Sequence, residues 1–94
     1  MDFDLGRMSS EEKQRLRNAI DAARSRGAWS SQRDRHVQAF ELCYLDGLTF
    51  EKAAEHISAL DHGRPVTRQR VGQLRDSGEK LLRTVLEDSR DDQP

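Results

Sequence analysis

The feature that most constrains this chain is the spacing of six apolar residues in its last third. Val71, Leu74, Leu81, Leu82, Val85 and Leu86 recur at three- and four-residue intervals, the period of one face of an α-helix. No stretch alternates apolar with polar residues between turn signals, so the sequence predicts an all-α fold with one short extended piece at 64–66. Ninety-four residues make one small domain at most. Leu, Ile, Val and Phe number only 19, and 35% of residues are charged, so the core is thin and the fold is expected to gain stability from a partner. The 16 basic and 17 acidic residues nearly cancel, which removes the like-charge repulsion that would hold such a chain open.

Caps and breakers divide the chain into four helices. Residues 1–8 have no period and read as a flexible leader. Ser9 stands three residues before Glu12, a capping-box spacing, and few breakers follow before Gly27. Leu16, Ala19, Ile20, Ala22 and Ala23 give this first helix a narrow apolar stripe, and Trp29 is placed to pin it to the rest. A second helix starts at Ser30 or Ser31 and runs to Leu45, where Asp46-Gly47 ends it. Its buried side is Val37, Phe40 and either Cys43 or Tyr44, with Leu48 beyond. Thr49 caps a third helix whose inner face is Phe50, Ala53, Ala54, Ile57 and Leu60. After the turn residues 61–65, Thr67 caps the long fourth helix. The expected domain spans 9–87, with an acidic tail at 88–94. Cys43 lies among Phe40, Leu42, Tyr44 and Leu45, the setting of a small buried thiol.

Charge is unevenly spread. Residues 1–36 carry a net +2, residues 37–63 a net −4, residues 64–83 a net +4 and residues 84–94 a net −3. The positive surplus at 64–83 comes from Arg64, Arg68, Arg70, Arg75, Lys80 and Arg83, a local patch suited to phosphate whatever the global charge. A solvated helix face would carry the same charges. What favours nucleic acid is the layout: a short helix opening at Leu48-Thr49-Phe50-Glu51-Lys52-Ala53-Ala54, a turn, then a capped helix opening at Thr67-Arg68-Gln69-Arg70-Val71-Gly72-Gln73-Leu74. With Val71 and Leu74 turned inward, Arg68, Gln69, Gly72 and Gln73 fall on the opposite or flanking faces, where Arg and Gln can pair with base edges in a major groove. The expected motif is a helix-turn-helix at about 49–83.

These residues, from 33 to 83, resemble the fourth region of bacterial sigma factors. The resemblance covers about half the chain. It implies a helical domain that reads a promoter element through the second helix of its helix-turn-helix and docks on RNA polymerase. It places the family's cap threonine at Thr67, its DNA-contacting arginines at Arg68 and Arg70, and its base-reading glutamine at Gln73. Gln69 stands where a glutamate is common and prefers adenine, so the sequence read should differ. Gly72 stands where a basic residue is usual. The eight residues 58–65 exceed the usual three- to four-residue turn; either the third helix runs on to Leu60 or the turn is enlarged.

The expected function is a sequence-specific DNA-binding transcription regulator of the phage or mobile-element kind. Its DNA-binding residues are Arg64, Thr67, Arg68, Gln69, Arg70, Gly72, Gln73, Arg75 and Lys80. Its partners are double-stranded DNA and a second copy of the chain, or RNA polymerase or a sigma factor, because one helix-turn-helix reads only a few base pairs. The alternatives are a sigma mimic that binds polymerase or a sigma factor without reading DNA, its acidic segment 41–61 being the working face, and a small DNA-packaging subunit. His36, His56, His62 and Cys43 do not match zinc spacings, and phosphate loops and catalytic triads are missing, so neither an enzyme nor a cofactor or metal is expected. The absence of a signal-type start or of about 20 consecutive apolar residues leads to the expectation of a cytoplasmic protein.

Overall fold

The computed structural model describes residues 7–60 and 62–91, with side chains through Leu86. The described residues form four helices and no strand. These are α1 (Ser10–Ser25), α2 (Ser31–Phe40), α3 (Phe50–Leu60) and α4 (Arg68–Asp91). Each starts where a hydroxyl can accept from a backbone N–H that lacks an intrahelical partner. Ser9 Oγ accepts from Glu12 N, Ser30 Oγ from Arg33 N, Thr49 Oγ1 from Lys52 N and Thr67 Oγ1 from Arg70 N, at 3.1 to 3.3 Å. The second cap is thus Ser30 rather than Ser31.

The ends are equally specific. Past α1, Gly27 adopts φ 73° while Gly27 N and Ala28 N donate to the carbonyls of Arg24 and Ala23, a paired closure that favours glycine. Helix α2 runs without a break into a single π turn, Glu41–Leu45, which the sequence reading treats as ordinary helix. Helix α3 reaches Leu60, yet residues 61–67 still separate it from α4, so the third helix is extended and the turn is enlarged as well; His62 and Gly63 both take left-handed φ.

Helices α2 and α4 make the central pair and share more contact than any other two elements. Their closeness depends on Gly78, where an ideal Cβ would stand 2.1 Å from the His36 carbonyl oxygen. Two apolar clusters flank this crossing. Leu16 and Ile20 of α1 meet Val37 and Phe40 of α2 and Leu82 and Leu86 of α4. Ala53 and Ile57 of α3 meet Ala39 of α2 and Val71 and Leu74 of α4.

Several expectations are corrected. Leu60 is 56% exposed, at the rim of a recess shared with Arg17, Gln38 and Leu42, rather than on the inner face. Ala22 is exposed as well, because α1 docks along Leu16, Ile20 and Ala23 with Ala19 packed beside them. Cys43, Tyr44 and Val85 are half-buried. Met8, assigned to the leader, packs on the first cluster, and residues 88–91 continue α4. The rest of the leader, 1–6, and residues 92–94 lie outside the described residues.

Candidate nucleic-acid interface

The first turns of α4 divide cleanly. Val71 and Leu74 are buried, while Arg68, Gln69, Arg70 and Gln73 are exposed. Arg64 is exposed in the link before the helix and Lys80 two turns further along it. Thr67 spends its hydroxyl oxygen on the cap. Arg68 Nη1 donates to Glu51 Oε1 at 3.2 Å, an exposed ion pair that ties α4 to the start of α3. Arg70 Nη1 donates to Gln73 Oε1 at 3.3 Å, which occupies the amide oxygen and leaves the exposed Gln73 amide nitrogen as a donor. Gly72 is half-buried, and a Cβ there would meet only Phe50 Cε2, at 3.8 Å.

Arg75 is placed differently from the other basic residues. Its guanidinium lies over the rings of Phe50 and Tyr44, 4.9 and 5.4 Å from their centroids, and pairs with Asp76 at 2.9 Å. Burial works against its charge, but the Asp76 hydrogen bond, Tyr44 and Cys43 outweigh it and raise its pKa above the ordinary arginine value. This side chain closes the α4 edge of the second cluster. Beside it, burial pushes the Cys43 thiol up, against a smaller opposing pull from Arg75.

The flank of α4 next to the exposed stripe faces α2. Lys80, Ser77, Leu81 and Thr84 line one surface recess with Arg33 and His36. Arg70 and Leu74 line a second with Gln32, Arg35 and the same His36. Burial, then Arg70 and Arg33, hold the His36 imidazole below its usual pKa. The sequence reading left Arg33 and His36 out of the candidate site. Their signal was present, since an i, i+3 pair shares one face of a helix, but the α4 flank opposite them is set by Gly78.

The opposite side of α2 is a polar joint to α1. Asp34 Oδ1 accepts from Arg24 Nε at 2.8 Å and from Trp29 Nε1 at 2.9 Å, and Asp34 Oδ2 accepts from Gln38 Nε2 at 2.9 Å. Arg24 also pairs with the buried Glu41, and Arg17 pairs with Asp46 at 2.6 Å. Burial opposes the Arg24 charge, yet hydrogen bonds to Asp34 and Glu41 raise its pKa. Trp29 thus serves as the pin that its position suggests, packed on the first cluster and bonded to α2.

No protein-family model, curated protein or solved structure matches this chain. Among the described residues no group of three or more His, Cys, Asp or Glu is placed to hold a metal ion, and no helix is long and apolar enough to cross a membrane.

Proposed function

We propose that this chain is a small sequence-specific DNA-binding transcription regulator, with α3 and α4 acting as a helix-turn-helix and the first turns of α4 entering a major groove. The observation that carries this reading is the exposed stripe of Arg68, Gln69 and Gln73 on a capped helix whose other face is buried against α2 and α3. Guanidinium and amide groups are the side chains that make paired hydrogen bonds to guanine and adenine edges. The free N–H groups at the α4 start, with Arg64, suit a phosphate. The resemblance to sigma region four supports the same assignment and adds RNA polymerase as a partner. The link 61–67 is longer than the usual helix-turn-helix turn, so α4 meets the groove at its own angle and reads its own sequence. A second copy of the chain or polymerase supplies the remaining affinity.

The direct test is selection of bound duplexes from a randomised pool at moderate salt. An enriched motif is expected, and two-fold symmetry in it would indicate a dimer. Arg68→Ala and Gln73→Ala should each lose about 1–3 kcal/mol on that motif and relax one position, while Lys80→Ala weakens all sequences alike. A folded protein that enriches nothing would move the assignment to a sigma mimic working through its acidic segment 41–61.

A further inference from the structure

We propose that the crossing of α2 and α4 forms a second DNA contact, in which Arg33 and His36 of α2 join Arg70, Ser77 and Lys80 of α4 to hold the sugar-phosphate backbone beside the groove that α4 reads. The proposal rests on the DNA-binding reading and extends it to a helix outside the helix-turn-helix.

Three observations carry it. The two recesses that share His36 are lined by basic side chains from both helices, the Ser77 and Thr84 hydroxyls of α4 and a few apolar groups, and no carboxylate is among their lining residues. The nearest acids are engaged elsewhere: Asp34 by Arg24, Trp29 and Gln38, Asp76 by Arg75, and Glu79 by Arg83. The two rows are also brought close, because Gly78 lets the α2 backbone at His36 pack directly on α4, where a Cβ would stand 2.1 Å from the His36 carbonyl oxygen. The recess residues Arg70, Ser77 and Thr84 run along the edge of the exposed Gln69, Gln73 and Lys80 stripe, where a strand's phosphates flank a helix seated in the groove.

His36 adds a linked property. It shares its two recesses with Arg33 and Arg35 from its own helix and with Arg70 and Lys80 from α4; burial first, then Arg70 and Arg33, hold its protonation back, and an arriving anion offsets the cationic part. A bound phosphate beside His36 favours the imidazolium, so DNA binding takes up a proton. Affinity therefore rises as pH falls from about 7.5 to about 6.

The experiment measures affinity for a random-sequence duplex and for a motif-bearing duplex across a salt series, with the full chain and its Arg33→Ala, His36→Gln and Gln73→Ala variants. Arg15→Ala, which removes the same charge from α1, is the control, and circular dichroism verifies folding. Arg33→Ala is expected to weaken both duplexes several-fold and to flatten the salt slope by about 0.9, one phosphate contact. His36→Gln is expected to remove the pH dependence. If Arg33→Ala keeps affinity and slope while Gln73→Ala still changes the motif, the second contact is overturned and the reading of DNA by α4 stands. If random duplex binds, Arg33→Ala weakens it and no motif is enriched, the contact stands and base reading falls. A folded chain that binds neither duplex overturns both.

Discussion

An ideal Cβ at Gly78 would stand 2.1 Å from the His36 carbonyl oxygen and 2.6 Å from its carbonyl carbon, whereas at Gly72 it would meet only Phe50 Cε2 at 3.8 Å. The two helical glycines therefore answer to opposite effects. At Gly72 the helix loses about 1 kcal/mol of propensity with no packing return, so Gly72→Ala should raise stability by up to that amount. At Gly78 the propensity gain is overwhelmed by the clash with α2 backbone, and Gly78→Ala should lower stability by about 1–3 kcal/mol. Urea denaturation of the two variants checks the sign of each. His36 gives a second test at this scale. Its pKa is lowered in the folded state, so the unfolded chain binds the proton more readily. Its contribution to stability is full above about pH 6.5 and is lost as pH falls from there toward the lower folded value. Urea midpoints at pH 7.5 and pH 6 should differ less in His36→Gln than in the parent.

At the scale of elements, α1 is held by one apolar line and by the charged joint at Asp34. Removing that carboxylate strips an acceptor from Arg24, Trp29 and Gln38 together. Asp34→Ala should cost about 1–3 kcal/mol and shift Trp29 emission to the red as α1 loosens; unchanged emission and stability would mean that the apolar line suffices. Three of the caps were legible in the sequence and the second was narrowed to Ser30 or Ser31, because a cap is a local contest between a hydroxyl and three successive backbone groups. The joint was not, since Arg24 meets Glu41 across 17 positions and only the packed structure brings them together. The π turn at Glu41–Leu45 was hidden for a similar reason: its residues fit ordinary helix propensities, and the wider turn shows only in the hydrogen bonds. Leu60 misled because it keeps the helical spacing of Ala53 and Ile57 but sits at the open rim of the recess it shares with Arg17 and Gln38, 56% exposed.

Across the whole molecule, α2 and α4 contribute to both apolar clusters, so neither cluster is independent of the other. Leu74 is 6% exposed, and Leu74→Asp would set an unpaired carboxylate in a small core. That variant should lose its helical circular dichroism throughout rather than in one half. A soluble, fully helical Leu74→Asp protein would contradict the inward orientation of this face. The exposed face of the candidate site on α4, at Arg68, Gln69 and Gln73, was legible because it is the complement of a strong apolar period on one helix. The α2 side was not, since it depends on how closely two helices approach. The same division of α4 has an evolutionary consequence. Gln69 and Gln73 are exposed while Val71 and Leu74 behind them are buried, so on the proposed DNA-binding reading substitutions at the two glutamines would change the sequence read with little change in stability. On that reading, drift in operator preference would be uncoupled from the risk of misfolding.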